Sequence, residues 1–404
     1  MNMHSVFSRR PWPISRIGLA VILGIAIAGH GSVFAGDAPL PVLIEPVPQD
    51  QSSIMDRLWA IPTLYNNEKN PIIQKFAFEG RLHADGVYFQ GDPDSYDGAE
   101  WRRFRLGAKA QLFDAFTLKF EVDFNGDQFD SGHLSDSYNR FTDAHIAWSR
   151  SENLQLKVGK ISAPFTLDGA TSSKKLLTPE RSTLTTNFWF PTEYFTGMAA
   201  KGKIDRWSYF AGAYSSSGDS EFSQFDSGYF GIASLGYDFS DCTAMDRSEI
   251  RLDYVYSDPD YSGEVGTRAL DHIVSFSSWF EQGGFGIWSD IAFASGIEDE
   301  NQSDLFGLSV MPFYTITETW QLVFRYSYVY SPDDNGVRLN RYENRVETGR
   351  CNAAHEWYLG VNTYLYGHKL KWQNGVEYIH AEDRANDGGD YSGWGVTSAI
   401  RMYF

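Results

Sequence analysis

Apolar and polar side chains alternate with a period of two residues along most of this chain, from about residue 72 to the C-terminus. Residues 116–124 (FTLKFEVDF) place only apolar side chains on one face of an extended strand and only polar ones on the other. The same alternation returns in residues 320–330 and 369–378. An amphipathic helix would need a period near 3.6, so the pattern predicts an all-β chain.

Two all-β architectures share this pattern. In a soluble sandwich the apolar faces meet in a core, whereas in a transmembrane barrel they face lipid and the polar faces line the lumen. Aromatic residues make up 16% of the chain. Their concentration near strand ends favours the barrel, as do connections that are alternately short and long and a last strand that ends in Phe404. Beyond residue 35 no apolar run of about 18 residues offers a spanning helix.

The strand count is sixteen, an even number, as a barrel with both termini on one side requires. The short connections, such as Asp114–Ala115 and Gly367–His368, are predicted on the periplasmic side and the long ones outside. The sequence thus predicts a 16-stranded antiparallel transmembrane β-barrel in the bacterial outer membrane, with strands at 72–90, 99–113, 116–125, 138–149, 154–161, 192–204, 206–215, 227–239, 248–257, 268–280, 285–296, 303–315, 319–330, 354–366, 369–380 and 393–404.

The N-terminal region has a different character. Residues 1–35 combine a basic start, a short apolar core and small residues before Gly36, which predicts a cleaved signal peptide. An uncleaved membrane anchor is disfavoured because the apolar core is too short. Proline-rich residues 36–71 are expected to form a periplasmic extension with a short helix over 54–61, and residues 72–404 the barrel domain.

Charge and cysteine content exclude several classes of protein. The signal peptide carries three arginines and no acid, so its removal takes the formal charge from −18 to −21, which argues against nucleic-acid binding. Two cysteines, Cys242 and Cys351, exclude a disulfide-rich scaffold and a cysteine-cluster metal site. Acidic loop tips are expected to be solvated, with divalent-ion binding as the alternative, although none has the ligand spacing of an EF-hand. No cofactor is expected.

Basic residues mark the candidate pore. The third outer loop, residues 162–191, carries Lys174, Lys175 and Arg181, and is expected to fold inward. Arginine clusters hold phosphate or carboxylate, and rings of cationic side chains select anions. The inward face also carries acids, so charge alone leaves the selectivity open. The strand residues of this basic group are Arg103 and Arg105 on the polar face, Arg102 with apolar parity near the outer rim, Lys157 pointing inward, and Lys160 at the loop entrance.

Several segments resemble the phosphate-selective porin O and P family, over about residues 72–404. They are Trp101–Gly107 (WRRFRLG), Val158–Phe165 (VGKISAPF) with Thr171–Ser173, Pro179–Ser182 (PERS) with Gly197, Tyr358–Asn362 (YLGVN) and Gly367–Lys371 (GHKLK). The resemblance implies a sixteen-stranded barrel, a homotrimer, and anion passage over a basic constriction. At the matched positions it implies a pore role for Arg102, Arg103, Arg105 and the basic residues of the loop.

The sequence therefore favours a water-filled channel for small solutes, with anions such as phosphate as the expected cargo. The expected partners are membrane lipid and the outer-membrane assembly machinery, which would read Phe404 as its signal. A general or cation-preferring porin and a non-conducting surface anchor or adhesin are the alternatives. An enzyme is not expected, because the nine histidines are scattered and neither HExxH nor GxSxG occurs.

Overall fold

The structure is a computed structural model that describes residues 53–404, except 93, 127–136, 333–335, 348 and 385–388. The predicted signal peptide and residues 36–52 of the predicted extension lie outside the described residues. So do the loop acids Asp127, Asp130, Asp136, Asp333, Asp334 and Asp387.

Sixteen antiparallel strands form one closed barrel, which confirms the predicted fold and strand count. The first strand pairs with the last, with His83 opposite Arg401, so the sixteen strands close into a ring. Strand ends differ from the predicted ones by no more than about four residues. The strands are β1 Ile73–Gly91, β2 Ser95–Leu112, β3 Phe116–Phe124, β4 Tyr138–Ser151, β5 Leu154–Ser162, β6 Tyr194–Ile204, β7 Trp207–Ser215, β8 Gly228–Asp238, β9 Arg247–Pro259, β10 Leu270–Gln282, β11 Phe285–Gly296, β12 Leu305–Thr315, β13 Trp320–Tyr330, β14 Ala353–Tyr366, β15 Leu370–Arg384 and β16 Gly389–Tyr403.

The two faces of the barrel are inverted relative to a soluble protein. On β3, Phe120 is 47% exposed on the outside, whereas the neighbouring Glu121 is fully buried. On β13, Leu322 is 42% exposed and Arg325 only 1%. Apolar side chains therefore face outward and charged ones inward, as in a barrel surrounded by lipid, and the sandwich alternative is wrong.

Long connections gather at one end of the barrel and short ones at the other. Phe404 lies at the short-turn end, where its backbone exchanges two 3.1 Å hydrogen bonds with Gly80 of β1. Cys242, at this end, and Cys351, in a long loop, are both free thiols, Cys242 exposed and Cys351 buried. A small hairpin in that loop pairs Val337–Arg338 with Arg350–Cys351.

Within the described residues, four short helices accompany the barrel. Helix α1, Ile54–Ala60, begins with a capping box formed by Ser53 and Asp56. After it, strand Thr63–Asn66 pairs with β1. Among the described residues, no helix is both long enough and apolar enough to span a membrane. The other helices are α2 Leu167–Ala170, α3 Thr183–Phe188 and α4 Glu343–Val346, and single 3₁₀ turns occupy Ser240–Cys242 and Glu298–Glu300.

The segment between β5 and β6, residues 163–193, makes hydrogen bonds to inward-facing side chains around the barrel. Backbone N–H groups donate to Asp253 on β9 (3.1 Å), Asp290 on β11 (2.6 Å) and Glu356 on β14 (2.6 Å). Its carbonyl oxygens accept from Asn362 on β14 (2.9 Å) and Arg401 on β16 (3.1 Å). Contacts with four strands across the sheet tie this segment to the polar face of the barrel.

Candidate pore and anion-binding residues

Two arginines of β2 lie on the polar face, as the alternation predicts. Arg103 is 3% exposed and Arg105 only 1%. The Arg105 guanidinium contacts Asp123 at 3.1 Å and donates to the Tyr194 hydroxyl at 2.9 Å. Both arginines also contact the Glu193 carboxylate, Arg103 at 3.6 Å and Arg105 at 3.5 Å. These cations are therefore held by carboxylates and are already partly neutralised.

Arg102 reaches the same region through a β-bulge. His83 of β1 pairs with Arg103 and the next residue, Ala84, pairs with Trp101, so Arg102 is the extra residue in the ladder. A bulge changes the direction in which a side chain points from the sheet. Trp101 stays on the outer face, 44% exposed, while the Arg102 guanidinium forms a two-pronged ion pair with Glu180, one contact being 2.9 Å.

Arg181 of the third outer loop contacts the same glutamate as Arg103 and Arg105. Its guanidinium contacts Glu193 at 3.1 Å, donates to the Asp168 carbonyl oxygen at 3.0 Å and lies 4.3 Å from the centre of the Trp189 ring. Burial alone would raise the pKa of Glu193, but Arg181, Arg105 and Arg103 lower it well below its usual value. Glu193 is therefore ionised at neutral pH.

The four lysines of the predicted basic group do not lie together. Lys157 and Lys174 line one cavity together, and the Lys174 ammonium lies 4.9 Å from the centre of the Tyr403 ring. Lys175 is exposed. Lys160 is only 1% exposed, and its ammonium donates to the carbonyl oxygens of Asp219 and, at 2.6 Å, Glu221. The charge of Lys160 is thus directed to a neighbouring loop, away from the arginine group.

Arg102, Arg103, Arg105 and Arg181 are called the arginine group below. Two cavities meet at Arg181 of this group. The outer cavity has a volume of about 710 Å³ and the inner cavity about 380 Å³. Arg181, Trp189 and Glu193 line both cavities. These residues mark the junction between the two spaces.

Two features of the site are not predicted from the sequence. Glu193 lies just beyond the predicted loop, yet it is the common partner of three arginines. A second set of arginines lines the outer cavity: Arg268, Arg338, Arg341, Arg345 and Arg350. Four of these fall within residues 338–350, a local density that the sequence alone makes visible.

Comparison with known proteins finds a family model that matches part of the chain. Residues 76–233 match the model of the phosphate-selective porin O and P family. The predicted resemblance is confirmed over these residues, whereas the segments Tyr358–Asn362 and Gly367–Lys371 lie outside the match. No curated protein sequence is significantly similar to the chain.

Solved porins share the fold at low sequence identity. The chain is similar to an anion-selective porin from Comamonas acidovorans, with 13% identity, a TM-score of 0.55, and coverage of 81% of this chain and 99% of that one. The outer-membrane channel DcaP of Acinetobacter baumannii is 14% identical, with a TM-score of 0.54 and coverage of 84% and 100%. For OmpF of Salmonella typhi the identity is 13%, the TM-score 0.57 and the coverage 83% and 99%. These similarities establish the porin fold.

The family match and the barrel together identify an outer-membrane channel, located in the bacterial outer membrane as predicted. Porins are channels rather than enzymes, which fits the expectation from the sequence. Within the part of the chain that the structure describes, no group of three or more His, Cys, Asp or Glu side chains is arranged to hold a metal ion.

Proposed function

We propose that this porin conducts small anions in preference to cations, and that the residues around Arg181 form its selective constriction. The observation that carries the proposal is the charge of the two cavities. Among the described residues, seven arginines and two glutamates line the outer cavity. Six basic and two acidic residues line the inner one. A positively charged path thus runs through a protein whose overall charge is −18.

The electric field along this path depends on the dielectric constant of the walls and on screening by salt. Clefts with low-dielectric walls focus the field of the charges that line them, and exposed loop charges are screened beyond about 10 Å in 0.1 M salt. Arg102 is paired with Glu180, and Arg103, Arg105 and Arg181 all contact Glu193. With Asp123, which contacts Arg105, four arginines stand against these three carboxylates. In the inner cavity Lys157 and Lys174 extend the positive field.

Phosphate is the anion we propose first. The guanidinium group offers paired N–H donors that match phosphate oxygens, and the matching family is named for phosphate selectivity. In the proposal, the third outer loop narrows the pore, supported by its hydrogen bonds to the inward faces of β9, β11, β14 and β16.

The reversal potential of the purified porin in a planar bilayer under a potassium chloride gradient tests this function. If anions permeate faster than cations, the reversal potential has the sign expected for chloride permeation. Phosphate added to the chloride solution is expected to reduce the current by occupying the arginine group. A potential that reports potassium as the faster ion would contradict the proposal.

A general or cation-preferring porin is the second candidate. It is favoured by the carboxylates along the same path, because Asp143 lines the inner cavity and Glu193 lines both. A potential near zero or of cation sign would support it. A barrel that inserts but carries no current would instead support the surface anchor or adhesin.

We also propose that the porin is a homotrimer, as the family resemblance implies. The outward face of β6–β8 offers a place for the contact, since Ala200, Ala211, Ala213 and Ala233 leave an apolar hollow of about 560 Å³ there. Chemical crosslinking in outer-membrane fragments is expected to give a three-chain band. Cleavage after Ala35 and recognition of Phe404 by the assembly machinery complete the proposed route to the membrane.

A further inference from the structure

We propose that two histidines on the outward face of the barrel, His355 of β14 and His380 of β15, bind a divalent transition-metal ion such as Cu²⁺ or Zn²⁺. The pair lies near the long-loop end of the barrel, since β14 begins at Ala353 and β15 ends at Arg384. Because the site is outside the lumen, it does not depend on the proposed anion-conducting function.

The two histidines are direct neighbours across the sheet. His355 and His380 stand opposite each other in the register of β14 and β15. They share the outward parity of Trp357 and Tyr378, which are 37% and 44% exposed. Opposite residues of antiparallel strands have Cβ atoms about 4.5–5.5 Å apart, and the two imidazole ring centres are 6.5 Å apart. Since zinc–nitrogen bonds are about 2.0–2.1 Å long, rotation of the rings can bring a nitrogen of each to one ion.

A hydroxyl group holds the Nδ1 atom of each ring. Nδ1 of His355 shares a 2.9 Å hydrogen bond with the Tyr326 hydroxyl. Nδ1 of His380 shares a hydrogen bond of the same length with the Ser392 hydroxyl. Metal-binding histidines use one ring nitrogen for the ion while the other donates its N–H to an oxygen. With both Nδ1 atoms engaged in this way, both Nε2 atoms keep their lone pairs for the ion.

A carboxylate adds negative charge beside the pair. Glu382 follows His380 by two residues on the same face, and its carboxylate lies 3.7 Å from Nε2 of His355. Its side chain is 52% exposed, and a charge on the outward face is tolerated near the membrane surface rather than at mid-membrane depth, so water reaches this level.

The ligand types define the class of ion. Two imidazoles bind the ion directly, and water fills its remaining positions, with Glu382 accepting a hydrogen bond from one of these waters. Two direct protein ligands agree with the finding that no group of three is in place among the described residues. Imidazole suits copper, zinc and nickel, with Cu²⁺ bound more tightly than Zn²⁺, whereas Mg²⁺ and Ca²⁺ require oxygen ligands.

Copper titration of the purified full-length porin in detergent, prepared without a histidine tag, tests the inference. One Cu²⁺ per chain is expected to bind, with an electron paramagnetic resonance spectrum that shows two nitrogen donors. Excess Zn²⁺ is expected to displace the copper, whereas excess Mg²⁺ is not. A porin that binds no Cu²⁺ in a saturable way, or a spectrum with fewer than two nitrogen donors, would overturn the site.

Single substitutions assign the ligands. His355→Gln and His380→Gln are each expected to weaken Cu²⁺ binding about hundredfold or more, because two donors fixed on one scaffold bind far more tightly than one. His272→Gln is the matched control. His272 of β10 is also exposed on the outward face and shares a 2.8 Å hydrogen bond with the Tyr254 hydroxyl, but neither residue opposite it on β9 or β11 is a histidine. The control is expected to leave the affinity unchanged.

Tyr326→Phe removes the hydroxyl that holds Nδ1 of His355 and is expected to weaken Cu²⁺ binding roughly 10–100-fold. An affinity that survives both His355→Gln and His380→Gln, or that falls as far in His272→Gln, would contradict the proposed pair. Heat-dependent gel mobility checks that each variant is a folded barrel. If a histidine variant does not fold, the number of nitrogen donors in the spectrum of the unaltered porin decides the question.

Discussion

Arg102 of β2 and Glu180 of the third outer loop form an ion pair that connects the barrel wall to the loop. The pair exists because a bulge turns Arg102 away from the outer face that its sequence parity predicts. Burial would raise the pKa of Glu180, but the nearby Arg102 and then Arg103 lower it to about 2. The carboxylate is therefore charged throughout the physiological pH range.

The first prediction concerns the opposite effects of replacing Arg102 and Glu180 one at a time. Arg102→Gln leaves the Glu180 carboxylate uncompensated and is expected to lower the chloride-to-potassium permeability ratio. Glu180→Gln is expected to raise the ratio, because the arginine then stands alone. The double variant should return near the wild-type value, and reversal potentials measure all three. Shifts of the same sign in both single variants would show that the pair acts on the loop rather than on the field.

The second prediction concerns the buried arginines. Arg103→Gln/Arg105→Gln removes two of the three arginines that contact Glu193 and the arginine that contacts Asp123 at 3.1 Å, so the anion preference is expected to fall strongly or to reverse. Reversal potential under a salt gradient is the measurement. The matched control Lys203→Gln/Arg206→Gln changes the total charge equally and should alter the potential little, since these side chains are 52% and 40% exposed. An equal effect of both double variants would place the selective field outside the junction.

The third prediction uses the pH dependence of Lys174. Burial, then repulsion by Arg81 and Lys119, lowers the pKa of Lys174 to about 8. Lys174 is positive below that pH and neutral above it, so the anion preference is expected to fall as the pH rises from 7 to 9, a range set by this pKa. Lys174→Arg stays charged and should keep the preference at pH 9, whereas Lys174→Gln should lack the step. A step that persists in both variants would assign the titration to another group.

The fourth prediction concerns the lipid-facing surface. Phe120→Arg places a charge on the outer face near mid-membrane and is expected to cost about 2–4 kcal/mol of folding stability, measured by denaturant unfolding in lipid vesicles. Gln111→Arg on the adjacent strand puts the same side chain on the polar face, where the position is already exposed, and should cost far less. Equal losses would contradict the outward orientation of Phe120.

The barrel could be predicted from the sequence because the inward and outward faces of each strand follow from the residues of that strand alone. Period-two alternation assigns each strand residue to a face, so Phe120, Leu322 and Arg325 were placed correctly without knowledge of their neighbours. Turn residues marked the ends of the strands, and an even number of strands is what a closed barrel with both termini on one side requires. The same alternation placed Arg103 and Arg105 on the polar face, and the structure buries both there.

What the sequence by itself determined is the barrel, its inverted faces and the basic character of β2 and the third outer loop. Only the tertiary structure decided which charges meet. The bulge at Arg102 depends on the register between β1 and β2, and Glu193 contacts three arginines that come from β2 and from the third outer loop. Lys160 is diverted to the carbonyl oxygens of a separate loop. Ion pairing falls steeply with distance, and distances between segments remote in sequence follow from strand register and loop packing, which no local pattern encodes.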